Sequence, residues 1–128
     1  MAGSYLLDTN LVIAILNQED IFEERLKESK VYVSSTVLGE LYYGAHKSAR
    51  TSDNLQRIAS FLVGYEMLAC DKVTAEEYGI IKAQLEAKGH PIPENDIWIA
   101  AIARQYALTL VTRDDHFKAV DGLTVETW

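Results

Sequence analysis

The chain has 128 residues, with 12 Lys and Arg against 19 Asp and Glu, and a formal charge of −7. That length suits one domain with a real core, and 48% hydrophobic with 24% charged residues excludes a disordered or fibrous chain. The acidic balance argues against holding nucleic acid by bulk charge, though not against acting on it through a metal.

In chain order, Met1–Ser4 is expected to contribute little to the fold, and no linker or repeat divides the single domain 1–128. Tyr5–Leu7 is a short apolar run closed by Asp8, and Leu11–Leu16 reads as a helix. Ile21 and Leu26 with polar neighbours predict a surface helix ending near Lys30. Val31–Ser34 is β-branched or aromatic at three of four positions, a strand by propensity. Thr36–Lys47 follows as a helix, then an amphipathic helix with Leu55, Ile58 and Leu62, then a strand at Tyr65–Ala69. Cys70 has no His nearby in sequence and reads as a small core residue. As the single cysteine it also excludes a disulfide framework, which fits a reducing cytoplasmic setting.

Thr74 and Glu77 form a T-x-x-E box that predicts a helix start, with Gly89 at its C′ position. Pro91 and Pro93 bracket a loop before the helix Asn95–Tyr106. Leu108–Thr112 is a strand, Asp115–Lys118 a short helical turn, and Leu123–Thr127 an edge strand. This βαβα order without hairpin signals predicts an α/β fold whose mostly parallel central sheet carries helices on both faces. No apolar run reaches the ~20 residues of a bilayer span, and no basic stretch precedes an apolar run near Met1. Neither a membrane anchor nor a secretory leader is expected.

Doubly wound sheets bind ligands at the carboxyl ends of their strands, near the point where strand order reverses. Asp8 follows the first strand and Asp114 the fourth, one residue after Arg113. Glu40 borders the apolar arc formed by Val37, Leu38, Leu41, Tyr42 and Ala45, beside Gly44. Asp96 is the only acid within a helix that is apolar nearly all round. Singly, each has a bland role as a cap, a turn residue or a solvated helix position. Jointly, they are expected at one rim. Two carboxylates ~5 Å apart repel by about 3 kcal/mol at an effective dielectric near 20. A convergent cluster therefore calls for a cation, and oxygen ligands without paired His or Cys favour Mg²⁺ or Mn²⁺.

Five blocks together carry a resemblance: Tyr5-Leu6-Leu7-Asp8-Thr9-Asn10, Ser35-Thr36-Val37-Leu38-Gly39-Glu40-Leu41, Asn95-Asp96-Ile97-Trp98-Ile99-Ala100-Ala101, Leu110-Val111-Thr112-Arg113-Asp114 and Gly122-Leu123-Thr124-Val125. In that order they resemble the PIN-domain ribonucleases, and most nearly the VapC-type toxins of bacterial toxin–antitoxin systems. The resemblance spans essentially the whole chain. It implies a PIN-like three-layer fold and a Mg²⁺- or Mn²⁺-dependent endoribonuclease with Asp8, Glu40, Asp96 and Asp114 as its acidic quartet. Asp8 and Asp96 would hold the principal metal, Glu40 would position it or its water, and Asp114 would bind through water or serve a second site. Thr9, Asn10, Ser35 and Thr112 match positions that orient carboxylates or phosphate, and Asp115 shares the tandem with Asp114. The family-like order favours Asp114 as the member facing the metal. An RNA substrate, a cognate VapB-type antitoxin and a homodimer are further implications.

Two other readings compete. A receiver-like Mg²⁺-binding domain would use Asp71 as phosphoacceptor, although the chain has Asp8-Thr9-Asn10 where an acidic pair belongs and lacks a lysine ending its last strand. A catalytically inert PIN-like binding module is the other. Lys47, Arg50, Arg57, Arg104 and Arg113 are scattered and form no basic stripe. His46, His90 and His116 share no metal-ligand spacing, although His116 lies close to the expected site.

Overall fold

Leu6, Leu7, Val33, Leu110 and Val111 are completely buried, as parallel strands covered on both faces require. They belong to a five-stranded sheet in a computed structural model that describes residues 3–19 and 23–128. Its elements are β1 (Ser4–Leu7), α1 (Thr9–Leu16), α2 (Glu23–Glu28), β2 (Lys30–Ser34), α3 (Ser35–Lys47), α4 (Thr51–Gly64), β3 (Glu66–Leu68), α5 (Lys72–Ala87), α6 (Glu94–Gln105), β4 (Thr109–Val111) and β5 (Val125–Glu126). A 3₁₀ turn at Asp115–Ala119 joins the last two strands. Ile21, expected on the second helix, lies outside the described residues. Ser4 pairs with Lys30 in the first strand, so the fold begins earlier than expected.

The strand order is β3-β2-β1-β4-β5, and every pairing is parallel. The chain walks one way from β1 to β3 and the other way from β4 to β5. Right-handed crossovers in the two directions put helices on opposite faces. The reversal lies between β1 and β4, where Leu7 is in register with Val111. Asp8 N donates to Val111 O at 3.0 Å, so Asp8 and Thr112 leave the sheet side by side. Among the described residues no helix is long and apolar enough to cross a membrane.

Three local expectations are corrected. The α5 box is built on Asp71, three residues before the predicted start. Its Oδ1 accepts from Val73 N and Thr74 N at 2.9 and 3.1 Å, and Thr74 Oγ1 accepts from Asp71 N at 2.9 Å. A carboxylate accepts two amide hydrogens where a hydroxyl accepts one less strongly, so Asp71 takes the cap. Glu77, freed from that role, pairs with Arg104 at 3.1 Å. Cys70 is exposed, because the short β3 lies at the sheet edge and ends two residues before it. Tyr42 is exposed, and the buried arc of α3 narrows to Val37, Leu38, Leu41 and Ala45. Gly89, with φ +65°, ends α5 as expected, and His90 N donates to Leu85 O at 3.0 Å.

Candidate metal centre

Asp8 is the N-cap of α1 and is 5% exposed. Its Oδ1 accepts from Thr9 N at 2.8 Å, and its Oδ2 accepts from Thr112 Oγ1 at 2.7 Å. Asn10 Nδ2 approaches the same Oδ2 at 3.5 Å. Burial pushes the Asp8 carboxyl above its ordinary value of 3.8; the Thr112 and Thr9 bonds oppose this, while Asp96 and Glu40 add to it as like charges.

Asp96 sits in the first turn of α6, its N donating to Pro93 O at 3.0 Å. Its carboxyl is also raised, by burial first and then by the charges of Asp114 and Glu40, with His116 acting in the opposite direction. Asp114 caps the 3₁₀ turn by accepting from His116 N at 3.1 Å, and its own N donates to Thr112 Oγ1 at 3.0 Å. Glu40 reaches across from α3 to accept from Thr9 Oγ1. Mutual repulsion thus links Asp8 to Asp96 and Glu40, and Asp96 to Glu40 and Asp114. The fold brings the four expected acids to one rim.

The smaller expected residues divide. Thr9, Asn10 and Thr112 hold acids, and Asn10 Oδ1 also accepts from Arg113 N at 3.3 Å. Ser35 does not join them. Its hydroxyl accepts from Cys70 N at 3.2 Å, which ties the start of α3 to the end of the β3 edge. Asp115 turns outward, its side chain 89% exposed and paired with Lys118 at 3.0 Å, because the turn that aims Asp114 inward points its neighbour away. His116 is the residue that the sequence reading undervalued. Its Nδ1 lies 3.2 Å from Asp96 Oδ2 and 3.0 Å from Asp114 Oδ1. One ligand atom from each of the three lies within 4.8 Å of the others. Its place two residues after Asp114 at a turn start was the available signal.

A cavity of about 200 Å³ adjoins the acids between α1, α3 and α4. Its polar lining comes from Thr9, Glu40, Asn54 and Arg57, and apolar lining includes Ile13 and Ile58. The cations weighed for nucleic acid are engaged locally: Arg50 with Asp53 at 2.7 Å, Arg104 with Glu77, and Arg113 with Glu19 at 3.0 Å. Asp71 lies beyond β3, the edge strand farthest from β4, and its carboxylate is occupied by the α5 cap and by Gln105 Nε2 at 2.9 Å. A receiver-type sheet, ordered 2-1-3-4-5, would instead hold its third strand next to β1. The phosphoacceptor reading therefore falls.

Four carboxylates gathered at the reversal of a parallel sheet define a doubly wound α/β domain with an acidic centre. The chain belongs to the PIN-domain family, whose model matches residues 5–123. It is 39% identical over 128 residues to Ribonuclease VapC2 of Haemophilus influenzae, covering 97% of both chains. To the tRNA(fMet)-specific endonuclease VapC of Shigella flexneri it is 38% identical, again with 97% of both covered. Among solved structures, VapBC from Salmonella typhimurium bound to DNA is similar with a TM-score of 0.92 at 33% identity, covering 100% of this chain and 99% of that one. VapBC2 from Rickettsia felis bound to a promoter DNA fragment follows with a TM-score of 0.91 at 33% identity and 98% coverage of each.

Proposed function

We propose that this protein is a Mg²⁺- or Mn²⁺-dependent endoribonuclease, the toxin of a type II toxin–antitoxin pair acting in the cytoplasm. The observation that carries the reading is the convergence of Asp8, Glu40, Asp96 and Asp114 in a chain so similar to VapC ribonucleases. The donor set fits a hard dication, since it is rich in carboxylate oxygen and its repulsion is relieved by positive charge. Asp8 and Asp96 would hold the principal ion, Glu40 would position it or its water, and Asp114 would bind through water or serve a second site. Thr9, Asn10 and Thr112 fix the carboxylates before substrate arrives. When bound, the dication polarises a water and offsets the charge that builds on the phosphodiester during in-line displacement.

The Salmonella and Rickettsia relatives were solved as VapBC assemblies. By analogy, a VapB-type antitoxin is the inhibiting partner here, and the toxin is a homodimer. RNA is positioned by the site's shape and its ion, because the basic side chains form no stripe.

The test is cleavage of a structured RNA with Mg²⁺ or Mn²⁺, with EDTA, and by Asp8→Asn. A metal contributes several kcal/mol to the transition state, so Asp8→Asn is expected to lose about 10³-fold in rate. Undiminished cleavage in EDTA or by the Asp8→Asn protein would refute the assignment.

A further inference from the structure

We propose that His116 is a nitrogen ligand to the dication at the acidic centre, and that it tilts the centre toward first-row transition ions over Mg²⁺. The inference rests on the metal-dependent reading above and goes beyond its all-oxygen donor set. His116 Nδ1 stands 3.2 Å from Asp96 Oδ2 and 3.0 Å from Asp114 Oδ1, which places one nitrogen and two carboxylate oxygens around a common point. Nδ1 faces one oxygen of each carboxylate, so a ring hydrogen on that nitrogen would bridge two acceptors. That hydrogen would occupy the position a cation would take. As a ligand the neutral ring keeps its one hydrogen on Nε2 instead, so the exchange needs no additional proton carrier.

The ring is held in place before any ion arrives. His116 N donates to Asp114 Oδ1 at 3.1 Å, and the next residue, Phe117, is completely buried and anchors the turn. Half of the imidazole remains exposed, so a hydrated ion has a route in. Mg²⁺ favours an all-oxygen octahedron and gains little from imidazole, whereas imidazole binds transition ions well and affinity rises from Mn²⁺ to Co²⁺. A mixed N/O set therefore separates the ions where four carboxylates alone would not.

The experiment measures calorimetric affinities of Mg²⁺, Mn²⁺ and Co²⁺ for the wild type and His116→Asn, without RNA. Asparagine keeps an amide N–H near the position of Nδ1 but offers no imidazole lone pair, and melting in EDTA verifies that the variant is folded. The expected result is a loss of about tenfold or more for Mn²⁺ and Co²⁺, with Mg²⁺ changed less than about threefold. Pulsed EPR of the Mn²⁺-loaded protein should show directly coupled ¹⁴N that His116→Asn removes. Unchanged affinities, or equal losses for all three ions, would overturn the assignment, the latter leaving His116 as a positioning residue for Asp96 and Asp114. If the wild type binds none of the ions, the metal-dependent reading falls as well, which separates its failure from that of the ligand assignment alone.

Discussion

Thr112 Oγ1 donates to Asp8 Oδ2 at 2.7 Å and accepts from Asp114 N at 3.0 Å, so one buried hydroxyl ties two acids of the centre together. Thr112→Val keeps the shape and removes both bonds. A buried carboxylate and an amide N–H lose their partner, at a cost of about 2 kcal/mol. Denaturant unfolding in EDTA should show a lower midpoint with an unchanged slope. A midpoint equal to that of the wild type would mean that water or another donor replaces the hydroxyl. At this scale three of the acids are visible from local pattern, because Asp8 and Asp114 follow strands and Asp96 lies in a first helical turn, while Glu40 shows only as a charge bordering the apolar arc of α3. The directions of Asp115 and Ser35 depend on backbone path: a turn aims Asp114, the favoured member of the tandem, inward and its neighbour out, and Ser35 meets Cys70 across a gap of 35 residues. His116 is legible only as a neighbour of the expected site, because no spacing motif joins it to Asp96, which arrives from another helix.

Helix ends show the same division. Gly89 was legible as a C′ residue because glycine accepts φ +65° without a Cβ clash. The end of α6 falls within one residue of the expected Tyr106, and just beyond it Ala107 holds φ +54° while Leu108 N donates to Ala103 O at 2.8 Å. The left-handed backbone costs an alanine more than the extra freedom of glycine costs the fold, so Ala107→Gly is expected to gain about 0.5–1 kcal/mol. Chemical denaturation measures it, and a loss of stability would show that the Ala107 methyl makes compensating contacts. The start of α5 was displaced because two overlapping boxes share Thr74, and only the fold decides between them. Hydrogen bonds from Thr74 N and then the neighbouring donors hold the Asp71 carboxyl below its ordinary value. A lowered folded pKa means that the cap's contribution is present above 3.8 and fades as pH falls through the folded value. Asp71→Ala should therefore melt below the wild type at pH 7 and approach it under acid, with RNA cleavage intact. A deficit that does not shrink under acid would exclude the charged cap as its source.

Across the whole molecule, the four acids come from the end of β1, the body of α3, the start of α6 and the turn after β4. The alternation of elements predicts a doubly wound sheet, but which strands neighbour β1 is decided by crossovers that no local pattern records. The order β3-β2-β1-β4-β5 makes β1 and β4 adjacent and so converts distant residues into one charged centre. The stability of the entire domain should report that convergence. Asp8 and Asp96 both have raised carboxyls in the fold, so the folded state binds more protons than the unfolded chain just above pH 3.8. Their contribution is then most favourable at low pH and declines as pH rises through the folded values, which gives the metal-free protein a downward slope. A dication competes with protons for those same oxygens, so its stabilisation must grow with pH over that window. At 100 times its Kd it adds about 2.7 kcal/mol, roughly 10 °C for a domain of this size. Melting curves with Mn²⁺ and with EDTA should therefore diverge from pH 4 to pH 7, and Asp96→Asn should remove most of the gap. A gap that stays constant across that range, or that survives Asp96→Asn intact, would mean that the ion stabilises the fold from some other surface.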